Sequence, residues 1–295
     1  MSDHHDILQP FLLPGAGVRG ALVRLDASWR EVASRAAYPP ALHQLLGESL
    51  AAAALMTSSI KFDGSLSLQL KSAATPRLLF AECTDAGRLR GLVRWDDDAT
   101  LPSALDLSTL PEAVFAITIG RADGHRYQGL VPLESTTLAQ ALEGYFQNSE
   151  QLPARIRLAV AGDRCAGLLL QRMPAEGGKH AGDADGWNRV GHLFATLGDE
   201  ELVSTDPVLL LQRLFHEETP QVFPTRELAF GCSCSRGRVA SMLLSLGRDE
   251  VDAALAANAD EVEVHCEFCA SRHVFDRIDV EQLFAGGVEA GSSLH

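Results

Sequence analysis

Gly231-Cys-Ser-Cys-Ser235 and His265-Cys-Glu-Phe-Cys269 decide how this chain is read. They set Cys232 and Cys234 in a C-x-C pair and Cys266 and Cys269 in a C-x-x-C pair, with 31 residues between the two. Two close thiol pairs, brought together by a fold, make a tetrahedral set of soft sulfur ligands that suits zinc. C-x-x-C alone is a weak signal, whereas two close pairs in one short segment are a strong one. The competing reading is four unrelated buried thiols. Because thiols also oxidise to disulfides, the site reads as a structural clamp and a redox switch at once.

Around these pairs the chain is small. Val239, Met242, Leu243 and Leu246 form an apolar helix face ending at Gly247, and Val251 and Leu255 mark a second helix. Val262 and Val264 alternate with acids, Cys266–Cys269 turns the chain, and Val274 and Phe275 return it. Asp279 with Gln282 reads as a capping pair before Leu283 and Phe284. About 50 residues seldom hold a fold without a staple. Closing the gap between the pairs costs about 3 kcal/mol plus a constant. Structural zinc binding in small peptides supplies roughly 10–16 kcal/mol at neutral pH. The metal term wins, so the segment is expected to fold with zinc and to be largely unfolded without it. Four thiolates around Zn²⁺ leave a net charge of about −2, which backbone amides and Arg236 or Arg272 can offset. His265 and His273 are rival ligands, read as spectators because four cysteines already complete a closed site. Cys83 and Cys165 are isolated in sequence and read as ordinary thiols.

The 295 residues suffice for one large domain and a small one. No stretch reaches the roughly 18 apolar residues of a membrane span. The first six residues are acidic, and the apolar stretch after them is interrupted by Pro10, Pro14 and Gly15, which does not read as a signal peptide. A cytosolic location is therefore expected, where a cysteine cluster points to metal or redox chemistry rather than permanent disulfides. With 25 basic and 39 acidic side chains the net charge is −14, which argues against a phosphate backbone as partner. There is no phosphate-binding glycine loop, no Gly-x-Ser-x-Gly and no His-Glu-x-x-His, and a closed tetrathiolate site has no open position for water. The chain is not expected to be an enzyme.

Residues 1–174 read as an α+β domain with antiparallel sheet. Pro39-Pro40 open a helix through Leu42, Leu45, Leu46 and Leu50 to Met56. Leu66, Leu68 and Leu70 alternate with polar residues as a half-buried strand. Further strands are expected at Arg77–Cys83, Leu89–Trp95, Val114–Ile119, Arg126–Leu133, Arg155–Val160 and Gly167–Met173, with a hairpin at Asp123-Gly124. Thr136 or Thr137 caps a helix through Leu138, Leu142, Tyr145 and Phe146.

A glycine-rich polar stretch, 175–188, marks a boundary. A linker of short helices is expected over 175–231, followed by a C-terminal domain over 232–295. In the linker, Val190, Leu193, Phe194 and Leu197 share a helix face. Asp206-Pro207 starts a second helix through Leu210, Leu214 and Phe215, which Pro220 and Pro224 stop. These faces lack a core of their own and must lie on something, most simply the N-terminal sheet. By default the Leu209–Phe215 run is core; its functional reading is a concealed or client-binding surface.

Ala16-Gly-Val-Arg-Gly, Lys61-Phe-Asp-Gly, Arg126-Tyr-Gln-Gly and Ser149-Glu-Gln-Leu-Pro-Ala-Arg add a family signature. So do Leu169-Leu-Gln-Arg-Met-Pro, Leu214-Phe-His-Glu-Glu and the two cysteine motifs. Over nearly its whole length the chain resembles the redox-regulated heat-shock holdases, the 33 kDa heat-shock protein family. That resemblance implies an ATP-independent chaperone, inactive when reduced and zinc-bound through Cys232, Cys234, Cys266 and Cys269. It implies that oxidation pairs Cys232 with Cys234 and Cys266 with Cys269 and ejects zinc. The C-terminal segment and the linker then loosen and expose apolar surface, with Val190, Leu193, Phe194, Leu210, Leu214 and Phe215 as candidates for the linker and client-binding surface. Unfolded client proteins, a homodimer on activation and hand-off to ATP-dependent foldases are the partners it implies. Two other classes compete. A zinc-ribbon nucleic-acid binder sits poorly with five Arg, no Lys and ten Asp or Glu in residues 232–284. A thiol–disulfide oxidoreductase would need Cys266-x-x-Cys269 to open a helix after a strand, a βαβ setting this sequence lacks.

Overall fold

The structure, a computed structural model, describes residues 6–60, 63–174, 183 and 185–286. It divides into two compact units, Met1–Gly231 and Cys232–His295. Within the glycine-rich boundary stretch, 175–182 and 184 lie outside the described residues, as do Lys61 and Phe62 of the Lys61-Phe-Asp-Gly motif.

The first unit runs β1 (Ile7–Leu13), β2 (Val18–Leu25), α1 (Ala27–Ala33), α2 (Pro40–Thr57), β3 (Gly64–Lys71), β4 (Leu78–Thr84), β5 (Arg88–Arg94), β6 (Val114–Arg121), β7 (Arg126–Val131), α3 (Leu138–Asn148), β8 (Ala154–Ala161) and β9 (Arg164–Arg172). It continues through α4 (Gly186–Ala195), α5 (Asp199–Ser204), α6 (Pro207–Phe215) and three two-residue strands, β10 (Gln221–Val222), β11 (Arg226–Glu227) and β12 (Ala229–Phe230). One sheet has the order β10-β1-β2-β9-β8, with β11 also on β1. The other has the order β12-β5-β4-β3-β6-β7. All their pairings are antiparallel except β12 on β5. This is the antiparallel α+β architecture expected from the alternating runs.

Helix α2 packs on both sheets, so it is apolar nearly all round; its alanines let the sheets approach. The β1–β2–β9–β8 sheet is buried on both faces. Ala21, Val23, Leu25 and Leu169 face the core around α2, while Val18, Leu22, Leu168 and Leu170 face a second core built with α4, α5 and α6. Strict alternation is therefore replaced in β9 by a continuous buried run from Cys165 to Gln171. Gly124, at φ +88°, turns the β6–β7 hairpin, and the Thr137 hydroxyl accepts from the Gln140 amide to cap α3.

Two readings of the first unit need correction. Strands β1 and β2 and helix α1 were not anticipated, because Pro10, Pro14 and Gly15 look like breakers. Pro14–Gly17 is in fact the β1–β2 turn, and Pro10 lies within β1, paired with Ala21. Its carbonyl accepts from Phe223, so its missing N–H faces the outer side, where the partner strand is interrupted between β10 and β11. Residues 221–230 are short strands rather than helix: after Pro220 and Pro224 the chain is extended and lies on sheet edges. The helical reading holds only as far as α6 and the single helical turn after it.

The second unit comprises α7 (Arg236–Leu246), α8 (Arg248–Ala257), β13 (Glu261–His265), β14 (Arg272–Asp276) and α9 (Arg277–Gly286). Its core is Val239, Leu243, Val251, Leu255, Val262, Phe275 and Val280. Met242 and Leu246, expected on the same face of α7, are 41% and 56% exposed, because packing against α8 and α9 covers only a narrow stripe of α7. The cap of α9 is also shifted by one turn. Asp276 and Asp279 exchange backbone-to-carboxylate hydrogen bonds across the helix start, so the reciprocal box is Asp276/Asp279 and not Asp279/Gln282.

Candidate metal centre

Antiparallel pairing of β13 with β14 brings Cys266–Ser271 into the turn of a hairpin. The turn is closed by Cys266 N–H to Ser271 O at 3.0 Å and Ala270 N–H to Cys266 O at 2.7 Å. Ala270 takes φ +57°, the left-handed conformation that ends this tight loop. Cys232 and Cys234 come from the extended stretch before α7, whose start is fixed by the Ser235 hydroxyl accepting from Arg238 N–H.

The four sulfurs converge, every pair lying within 4.8 Å. Cys234 and Cys269 Sγ are 3.2 Å apart and Cys232 and Cys266 Sγ 3.6 Å apart. Zn–S bonds of about 2.3 Å in a tetrahedron put sulfurs roughly 3.8 Å apart, so the cluster has the right size for one tetrahedral ion. Backbone amides turn toward the sulfurs. Cys234 N–H reaches Cys232 Sγ at 3.4 Å, and the Phe268 and Cys269 amides reach Cys266. The Ser271 amide and hydroxyl both bond Cys269, the hydroxyl at 3.1 Å. Such donors favour thiolates, the form a metal needs.

The protonation pattern follows. Burial pushes the Cys269 thiol up, but the Ser271 hydroxyl and amide and the neighbouring thiols outweigh it and bring it down to about 6. The hydrogen bond it shares with Cys269, together with burial, pushes Cys234 up to about 12. Burial raises Cys266. One thiolate is thus shared by its neighbours' protons, and a divalent cation would take over that role for all four.

Among the described residues these four cysteines are the only group of three or more ligand side chains so gathered. His265 Nε2 is engaged with Glu263, and His273 sits in β14 opposite Val264; neither joins the group. The arginines weighed as charge partners are held elsewhere. Arg236 lies over the Phe275 ring at 4.2 Å and pairs with Asp279, and Arg272 pairs with Glu263 at 2.6 Å. Sequence reading missed Ser271; its signal is a hydroxyl two residues beyond the C-x-x-C. Cys83 and Cys165 are buried in β4 and β9, and burial raises both thiols, Cys83 to about 12. The Cys266–Cys269 pair forms a hairpin turn and not a helix start, which removes the geometric basis for an oxidoreductase reading.

The linker candidates lie in the first unit. Val190, Phe194, Leu210, Leu214 and Phe215 are buried and Leu193 partly buried, packed on the outer face of the β1–β2–β9 sheet. Phe215 stacks on Phe11 with ring centres 6.1 Å apart. Leu210 and Leu214 both face the sheet. No described helix is long and apolar enough to cross a membrane.

Comparison with known proteins agrees with this layout. The family model described as "Hsp33 protein" matches residues 6–276. The 33 kDa chaperonins of Ectopseudomonas mendocina and Chromobacterium violaceum are each 43% identical, over 98% of this chain and 98% and 97% of theirs. The crystal structure of a 33 kDa chaperonin from Thermotoga maritima superposes with a TM-score of 0.82 at 23% identity, covering 97% of this chain and 100% of that one. A match that runs through both units and ends beyond the last cysteine leaves one assignment: the chain belongs to the Hsp33 family.

Proposed function

We infer that this protein is a redox-regulated, ATP-independent holdase that binds unfolding proteins under oxidative and heat stress. As a member of the Hsp33 family it is a heat-shock chaperone and not an enzyme. The redox control is our reading of its own residues. The observation that carries it is the convergence of four sulfurs in a unit with only seven buried apolar side chains among those described.

Bound zinc would cross-link Cys232, Cys234, Cys266 and Cys269 and hold them as thiolates. Each thiolate pair that forms a disulfide gives two electrons to peroxide, which takes up two protons and leaves as two waters. A disulfide sulfur no longer binds the metal, so the second unit loses its staple and most of its folding free energy. Pairing of Cys232 with Cys234 and of Cys266 with Cys269 is favoured once the unit opens, because those loops are minimal and the distant pairs separate. Loosening of residues 186–231 then uncovers the outer face of the β1–β2–β9 sheet for a client. A cytosolic setting, dimerisation on activation and hand-off to ATP-dependent foldases complete the proposal.

The test is peroxide with mild heat on the purified reduced protein. Zinc release, loss of four thiols, local pairs by peptide mapping and ATP-independent suppression of aggregation should appear together. Cys234–Cys269 or Cys232–Cys266 as the main product would mean that the cluster stays folded during oxidation, against this mechanism.

A further inference from the structure

Residues 221–231 form an extended strap along the outer edges of both sheets in the first unit. Val222 and Gln221 pair with Phe11 and Leu12, and Arg226 and Glu227 with Leu8 and Ile7. Ala229 and Phe230 pair, in parallel, with Arg88 and Leu89. Further main-chain bonds run from Phe223 N–H to Pro10 O, Leu228 N–H to Asp6 O, Ala229 N–H to Gly87 O and Gly231 N–H to Leu89 O, all 2.9–3.0 Å. The seat is shaped for a backbone: Gly87 has φ +74°, and a Cβ there would lie 2.5 Å from the Glu227 carbonyl oxygen. One side chain plugs in deeply, Leu228, which is 5% exposed and joins the core around α2. Phe230 lies under the Arg35 guanidinium at 5.4 Å. Val222 and Phe223 remain 37% and 47% exposed.

Each pairing is only two residues long, and the strap contains Pro224. It is therefore held by short, separable contacts. An uncovered edge strand presents a row of free N–H and C=O groups, a template for any extended chain. Binding by strand addition draws affinity from the main chain and tolerates many sequences.

We propose that the strap occupies the seat of a client: when it lifts, β1 and β5 take an extended segment of an unfolded protein by strand addition. The segment places one apolar side chain in the slot left by Leu228. This rests on the holdase reading above and names the surface and the backbone geometry that it uses. The same segment that covers the surface also closes the edges, so the resting protein is protected from edge-to-edge association.

The experiment is amide hydrogen exchange on the full chain, reduced, then activated by peroxide and heat, then with thermally unfolded citrate synthase. Aggregation is followed on the same samples. Outer-edge amides of β1 and β5 should exchange at least about tenfold faster after activation and slow again when the client is held. A synthetic peptide of residues 220–231 should displace the client. The same peptide with Phe223→Pro and Leu228→Pro, which removes two of the bonding N–H groups, should need at least about tenfold more. Edges that stay protected on activation overturn the proposal. So do edges that stay fast while aggregation is suppressed; the holdase reading then stands and the client sits elsewhere. Protection regained without client, in a dimer, would make a second copy the occupant. Absence of any suppression would sink the holdase reading itself.

Discussion

Within the cluster, the Ser271 hydroxyl and amide help to bring the Cys269 thiol down to about 6, whereas the hydrogen bond with Cys269 pushes Cys234 up to about 12. The spacing of the thiols was legible in the sequence; this inequality was not, since it depends on which sulfur the Ser271 donors reach in a folded hairpin. The reduced protein is expected to hold one zinc per chain. In competition with a chromophoric chelator, Cys266→Ser should cost more than about 100-fold in affinity, beyond the effect of an outer partner, and Ser271→Ala about 10-fold. His265→Ala and His273→Ala should leave affinity unchanged, since His265 is engaged with Glu263 and neither ring joins the sulfur group. A spectrum of the cobalt-substituted protein with nitrogen ligation would reverse that assignment.

At the scale of elements, helices α4 and α6 each bury one apolar stripe as their patterns suggest, although the outer side of α6 carries Val208 and Leu209 beside Gln212 and Arg213. Asp206 accepts from Leu209 N–H and starts α6 where Asp-Pro predicts. Which leucines of Val-Leu-Leu-Leu face inward was not readable from so apolar a run. The sheet decides: Leu210 and Leu211 are buried, while Val208 and Leu209 are 37% and 43% exposed. Leu210→Asp and Leu214→Asp should therefore undock α6, given that even Leu→Ala at such sites costs about 2–5 kcal/mol. The expected result is suppression of aggregation by the fully reduced variants, with zinc still bound. Leu209→Asp should stay inactive until oxidised. Undocked variants that remain inactive while reduced, yet respond to oxidant, would move the gate out of this helix and into the second unit.

At the scale of the whole molecule, the two units have cores of very different size. Chelation of zinc from reduced protein should abolish slow amide exchange in residues 236–286 while β3–β6 and α2 keep theirs, because only the smaller unit depends on the metal. Uniform loss across both would show the stabilities to be linked. The residues themselves determined the α+β class, seven of the long strands, the capped helices and the two thiol pairs. Those features rest on local periodicity, caps and spacing, which act within a few residues. Tertiary structure alone decided that Pro10 can sit in a strand, because its missing N–H meets an interrupted edge. It also decided that 221–230 is strap and not helix, and that Met242 and Leu246 stay outside the small core. Each of those outcomes depends on a partner more than ten residues away in the chain, and a pattern read along one segment carries no information about which distant surface will meet it.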